Sequence, residues 1–271
     1  MNDRAAALLD WYGRHRREAP WRTTSDPWSI LVSEVMSQQT QVGRVIPKWR
    51  SFLERFPTPA DCADAPRSDV LSLWSGLGYN SRAIRLQDAA RIVAEDGWPT
   101  TAEGLRALPG VGPYTAAAVA CFAFGEQVPA IDTNLRRVLS RWVGLPLDPG
   151  ALADHAEREL PDGFAEDWNQ AVMDLAASIC GPRDPDCGRC PVSEWCADPT
   201  VYQPPRRQGR FVGSSREARG AVIRVLTAGP ATADEIAERA AIDVERITAA
   251  LATLDAERLV THAAGGWRII D

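Results

Sequence analysis

The chain has 271 residues, 45% of them hydrophobic, enough for one large domain or two modest ones and too many for a disordered polymer. No apolar run approaches the ~20 residues that span a bilayer, and the N-terminal MNDRAAALLDWYGRHRRE lacks a secretory apolar core, so a cytoplasmic protein without a membrane partner is expected. A net charge of −6 argues against gripping a polyanion by bulk charge, and six cysteines in a reducing compartment suit metal ligation or a core better than disulfides.

Apolar residues recur at helical spacing, as in Leu71, Leu73, Trp74, Leu77 and in Leu135, Val138, Leu139, Trp142, and strand-like alternation is rare before residue 258. The spacing predicts an all-α array of roughly ten or more short helices, broken at proline and glycine clusters such as Gly76 to Gly78, Gly110 to Pro113 and Pro146 to Pro149. The stretch ILVSEVMSQQTQV (30–42) is unusual, because an apolar run enters the carboxylate Glu34 and then Ser37, Gln38, Gln39, Thr40 and Gln41. By itself it reads equally as a pocket wall or as an ordinary helix end.

Further along, TTAEGLRALPGVGPYTAAAVACFAFG (100–125) pairs Thr100 with Glu103 as a capping box and places Pro109 at a helix stop. Pro113 suits the first turn of the next helix, and Gly110, Val111 and Gly112 between them leave bare amides at a helix N-terminus, a grip for a phosphate. This is a helix-hairpin-helix pattern, for which a plain structural corner is the bland alternative. Asp132, in VPAIDTNLRRVLSRW, precedes a helix and reads as an N-cap whose carboxylate the helix terminus keeps ionised.

CGPRDPDCGRCPVSEWC (180–196) sets Cys180, Cys187, Cys190 and Cys196 at C-x6-C-x2-C-x5-C, with no histidine among them. Four thiolates this close can share one metal centre, either zinc or a [4Fe–4S] cube. Cys62 and Cys121 sit in apolar helical contexts and read as core. Beyond QPPRRQGR (203–210), the segment 204–224 carries six arginines against the single acid Glu217, so nucleic acid binding by a local basic stripe remains open. Helices at about 215–227, 232–240 and 243–256 and two short strands around Gly265 and Gly266 then resemble a winged helix, which either binds DNA or packs on a neighbour.

Glu34, the hairpin 108–116, Asp132 and the four cysteines together make the chain resemble the helix-hairpin-helix, endonuclease III-like DNA glycosylases, and more closely the adenine DNA glycosylases of the MutY type. The likeness covers about residues 8–203 and includes PWR (20–22), SEVMSQQTQV (33–42), GLGYNSR (76–82), LPGVGPYTA (108–116), IDTNLRRVLSR (131–141) and NQAVMDL (169–175). It implies two helical subdomains flanking a cleft, a six-helix part at about 23–131 and a cluster part at about 1–22 and 132–203, then a linker at 204–214 and the winged-helix-like unit at 215–271. It also implies a [4Fe–4S] cofactor, and a monomer acting near the bacterial nucleoid on double-stranded DNA that contains an adenine mispair.

The resemblance assigns roles as well. Glu34 would protonate the flipped adenine at N7 and later activate water, and Asp132, with Asn134 beside it, would stabilise the sugar cation. Tyr114 would hydrogen-bond near the acid; Arg17, Trp21, Arg22 and Gln170 would line the adenine pocket; Gln39 and Tyr79 would wedge into the duplex opposite the extruded base. Two carboxylates, an acid for the leaving group and an anion for the sugar, follow the logic of glycoside hydrolysis, and the apolar run before Glu34 would desolvate it and raise its pKa. Two departures stand out: Ser37 occupies a position where the family usually has Leu, and fewer than 70 residues replace the usual Nudix-related domain that reads 8-oxoguanine. A thymine/G mismatch glycosylase is the nearest alternative, and an iron–sulfur DNA-binding regulator is the alternative from another class.

Overall fold

Capping side chains and prolines punctuate the chain into short helices, and the computed structural model describes them over residues 1–201 and 209–270. In chain order they are α1 (Asp3–His15), α2 (Pro27–Ser37), α3 (Val42–Arg55), α4 (Pro59–Ala63), α5 (Arg67–Trp74), α6 (Ser81–Asp96), α7 (Ala102–Leu105) and α8 (Pro113–Phe124). There follow α9 (Thr133–Val143), α10 (Pro149–Glu159), α11 (Ala165–Ser178), α12 (Ser215–Leu226), α13 (Ala233–Ala240) and α14 (Val244–Ala256), with strands β1 (Val260–Ala263) and β2 (Gly266–Ile269) at the end. The all-α expectation for the body of the chain holds. The first part of the linker, with Arg206 and Arg207, lies outside the described residues.

Two compact units emerge. The first comprises Met1–Glu34, Trp98–Ala107 and Val111–Arg206; the second comprises Val35–Gly97, Leu108–Gly110 and Arg207–Asp271. In the first, the apolar face Leu135, Val138, Leu139, Trp142 predicted for α9 is buried against Leu8, Trp11 and Tyr12 of α1 and Trp168, Val172 and Leu175 of α11. Burial of side chains this size stabilises by about 1.5–3 kcal/mol each, which fixes α9 and α11 as the floor on which the site residues stand.

In the second unit α4, α5 and α6 pack together, with Phe52 of α3 edge-on to Trp74 of α5 and to Phe56. The C-terminal elements match their predicted positions to within one residue: α12 is capped by Ser214, α13 by a Thr232–Glu235 capping box, and α14 by Asp243. β1 and β2 form an antiparallel hairpin, and Ala231 bridges to Trp267 to add the third edge of a winged helix. Gly266 is obligatory there, since φ is +121° and a Cβ would lie 2.7 Å from the Ala231 carbonyl.

One local expectation fails. The cap before α7 is Thr101, whose hydroxyl accepts from the Gly104 amide, and not Thr100. Gly104 at the third position carries no side chain to complete a capping box, and the helix ends at Leu105, well short of Pro109, where the chain turns through Arg106 and Ala107. Pro113 does occupy the first turn of α8, with Gly112 as the N-cap residue.

Candidate active site

The apolar run of α2 buries its carboxylate. Ile30, Leu31 and Val32 are fully enclosed, and Glu34 follows them into the interior at 8% exposure. Burial pushes the Glu34 carboxyl up to about 7; a hydrogen bond from the Tyr114 hydroxyl and the charge of Arg22 pull it down, and the Asp132 carboxylate raises it. Tyr114, at the start of α8, is itself held well above its ordinary range, first by burial and then by the charges of Glu34 and Asp132, so it stays a neutral donor. Glu34 is therefore an acid that is partly protonated near neutrality.

Asp132 is the N-cap of α9. Its Oδ1 accepts from the amides of Asn134 (2.9 Å) and Leu135 (2.7 Å), and its Oδ2 accepts from Asn134 Nδ2 at 2.6 Å. Burial raises its pKa nonetheless, against those hydrogen bonds and the charge of Arg137. The helix terminus is thus not the only influence on this carboxyl, and desolvation opposes its ionisation. Arg137 donates to Asn134 Oδ1 (3.2 Å), to the Cys180 carbonyl (2.9 Å) and to the Ala176 carbonyl (3.0 Å), linking the cap of Asp132 to the cysteine loop.

Arg17, Trp21 and Arg22 approach from the segment after α1, where Pro20–Arg22 form one 3-10 turn. Both arginines converge on Asp174 of α11: Arg22 pairs with it through two nitrogens at 2.8 Å, Arg17 Nε donates at 2.7 Å, and the Arg17 amide donates at 2.8 Å. Burial would raise the Asp174 carboxyl, but the hydrogen bonds from Arg22 and Arg17 outweigh it and hold it below the usual carboxylate range. Gln170, one turn earlier on α11, accepts from the Tyr12 hydroxyl at 2.7 Å and donates to Glu166. Asn169 donates to the Val128 carbonyl (2.9 Å) and accepts from the Ala130 amide (2.8 Å), which fixes the segment that leads to Asp132. Asp174, Asn169, Tyr12 and Arg137 were not read as site residues from sequence; the available signal was three polar residues within NQAVMDL on an otherwise apolar helix face.

The four cysteines line one cavity together with Arg141, Trp142 and Leu175. Arg141 is 1% exposed and donates to Cys180 Sγ at 3.0 Å and to the Gly181 carbonyl at 2.8 Å, a cation aimed at a thiolate site. Among the described residues no three His, Cys, Asp or Glu side chains are close enough to hold a single metal ion. The cavity they line has a volume of about 60 Å³, several times the ~10–15 Å³ that one water needs.

Ser37, Gln39 and Tyr79 belong to the second unit. Ser37 ends α2 half-buried, while Gln39 (φ +56°) and Tyr79 (φ +49°) both adopt left-handed backbone conformations that cost non-glycine residues about 1–2 kcal/mol each. Arg82 holds both turns. It donates to the carbonyls of Val35 (2.7 Å), Gln38 (2.8 Å), Leu77 (2.9 Å) and Gly78 (3.0 Å), with its guanidinium over the rings of Trp74 and Tyr79. In the hairpin, Gly110 takes φ +79° with the Arg85 side chain 2.9 Å from where a Cβ would sit, whereas Val111 is buried and Gly112 opens α8 facing clear space.

Residues 32–162 match the HhH-GPD superfamily of base excision DNA repair proteins, and residues 213–266 match the DprA winged helix domain. An adenine DNA glycosylase of Mycobacterium tuberculosis is 42% identical over 96% of this chain and 90% of its own length. The chain belongs to the adenine DNA glycosylase family. A solved thermostable thymine-DNA glycosylase superposes with a TM-score of 0.68 at 35% identity, covering 71% of this chain and 93% of that one. An endonuclease III–DNA complex, at 21% identity and a TM-score of 0.63 over 73% of this chain and 97% of that one, shares the fold. For an adenine DNA glycosylase, the glutamate, tyrosine and capped aspartate gathered in the first unit are the groups that need explaining, and the likeness to the M. tuberculosis relative extends through the winged-helix region.

Proposed function

We propose that this protein is a monofunctional, monomeric DNA glycosylase of base excision repair that hydrolyses the N-glycosidic bond of adenine mispaired with 8-oxoguanine or guanine. The observation that carries the proposal is the buried Glu34, with a pKa of about 7, hydrogen-bonded to Tyr114 and within electrostatic reach of Asp132, the N-cap of α9. An acid of that strength can be protonated and still give up its proton at neutral pH.

Glu34 donates its proton to N7 of the extruded adenine. The C1′–N9 bond breaks with its electron pair on the base, and the positive charge left on the sugar is met by Asp132, whose orientation Asn134 and the α9 amides fix. Glu34, now a carboxylate, takes a proton from the water that adds to C1′, which leaves an abasic site and restores the acid. Arg17, Trp21, Arg22 and Gln170 bound the base; Asp174 holds the two arginines, and Tyr12 and Glu166 hold the glutamine. Ser37 leaves more room than the leucine the family usually has at that position. Gln39 and Tyr79 enter the duplex, while the amides of Gly110, Val111 and Gly112 grip a phosphate. Strand cleavage needs an amine to form a Schiff base; Tyr114 stands in the position that lyases fill with lysine, and Lys48 on α3 is the chain's single lysine.

Cys180, Cys187, Cys190 and Cys196 suit a [4Fe–4S] cube. One C-x2-C knuckle flanked by wider gaps favours the cube over tetrahedral zinc, and Arg141 would offset the thiolate charge. When bound, the cluster would tie the 180–196 loop to itself through the four thiolates, with Arg141 of α9 donating to Cys180 Sγ, and would play a structural part.

The test uses end-labelled duplexes with adenine:8-oxoguanine, adenine:guanine and thymine:guanine pairs. Alkali-labile scission in the two adenine duplexes, with none before alkali and no borohydride-trapped complex, is expected. Preferential excision of thymine, or binding without excision of any base, would overturn the proposal.

A further inference from the structure

The second unit contains a groove of about 900 Å³ that the chemistry above does not use. One wall is Gln39, Arg44 and the turn from Ser75 to Ser81; the other is α12, presenting Arg216, Arg219 and Arg224. Cβ atoms at Gly76 and Gly78 would meet nothing within 4 Å, so the turn offers bare backbone to the groove. Tyr79 stands at its rim at 41% exposure.

The charges around the groove are sorted. Four arginines line it against two glutamates, Glu217 and Glu257. Each glutamate is already matched: Glu257 accepts both terminal nitrogens of Arg219, and Glu217 accepts from Arg246 and the Gly213 amide, at 2.8 Å each. The carboxylates that would repel an anion are thereby neutralised, leaving the groove net positive in a chain of net charge −6. The third helix of the winged helix, the usual reader of a major groove, is unsuited to that task here. Residues 243–257, which include α14, carry Asp243, Glu245, Asp255 and Glu257 against Arg246 alone, and Arg246 is engaged with Glu217. The helix α13 carries three acids and one arginine. Basic character is concentrated on α12.

We propose that this groove is a DNA subsite for the strand opposite the extruded base, whose phosphates are held by Arg44, Arg216 and Arg224, and that the winged-helix unit meets DNA through α12 and not through α14. The assignment rests on the glycosylase reading, in which Gln39 and Tyr79 enter the duplex on that side. Continuity of the groove with both wedge residues selects the strand, guanidinium groups select phosphate, and the glycine backbone permits close approach.

The test measures binding of the full-length protein to an adenine:8-oxoguanine duplex carrying 2′-fluoro-2′-deoxyadenosine, which resists excision. Neutral methylphosphonates replace the phosphates flanking the 8-oxoguanine, or alternatively those flanking the adenine. Opposite-strand replacement should weaken wild-type binding about tenfold, as expected for loss of charge-assisted hydrogen bonds. Arg216→Ser/Arg224→Ser should bind about as weakly as wild type on the neutralised strand, show no further loss there, and lower the salt slope of log K by about 1.8. Thr248→Ala/Thr253→Ala on the outer face of α14 should bind as wild type. Losses that multiply independently, or a double-arginine variant that behaves as wild type while the α14 variant loses affinity, would overturn the proposal. Failure of the underlying reading has a separate signature, the absence of excision from ordinary adenine by the wild type.

Discussion

The buried polar site of the first unit and the charged surface of the winged helix spend similar residues in opposite ways. Glu34, Asp132 and Asp174 are removed from water, and each is held by named partners: Tyr114, Asn134 and the α9 amides, and the two arginines. On the winged helix, Glu217, Glu257 and their arginines remain at the surface, where a charge pair is screened and worth little. On the proposed reading, chemistry would sit where charge is expensive to hold, and binding where it is cheap.

The largest effects belong to the buried carboxylates. Glu34→Gln should lower single-turnover excision by about 10²–10⁴-fold and Asp132→Asn by about 10²–10³-fold, with duplex affinity changed only a few-fold, because both act in the transition state. A comparable loss of affinity in filter-binding titrations would move them from catalysis to grip and erase the contrast between the regions.

Next comes Asp174→Asn. It leaves the largely buried Arg22 and the half-exposed Arg17 without their carboxylate; removal of one member of a buried ion pair costs about 3–5 kcal/mol, to which Arg17 adds little, read as a lowered urea midpoint. The folded Asp174 pKa is depressed, so wild type should lose this contribution as pH falls through the acid range, and the variant should lack it at every pH. A surface-sized change would place Asp174 with the winged-helix pairs.

Glu34→Gln also carries a stability signature of opposite sign. With its folded pKa of about 7 against an ordinary 4.5, the folded protein binds a proton that the unfolded chain lacks between those values, and stability falls as pH rises through that window. The variant should therefore gain on wild type by up to about 3 kcal/mol between pH 4.5 and pH 8, from urea melts at both ends. The smallest effect is Arg219→Ala on α12, expected at or below about 1 kcal/mol and reduced further by salt.

Legibility from sequence follows the same division. The cysteine spacing, the Gly110–Pro113 turn and the apolar approach to Glu34 are local patterns, and the sequence suffices for them. Asp174 and Arg82 were missed because their partners lie far along the chain or are backbone carbonyls, which leave no trace in residue identity: Asp174 reaches back across 157 residues to Arg17, and Arg82 binds five carbonyls. Short α7 was misplaced by one residue because Thr100 and Thr101 are equally good caps and only the Gly104 amide chooses between them. The arginine excess of 204–224 was visible, but its placement on α12 beside the Gly76–Ser81 turn required the fold.

The pH dependence of single-turnover adenine excision by the wild type tests the central claim most directly, that a buried, protonated Glu34 delivers the proton. With a carboxyl near 7, the rate should decline above that pH, approaching tenfold per unit, and the decline should be absent from the residual activity of Glu34→Gln. A wild-type rate that stays flat from pH 6 to pH 9 would contradict the account.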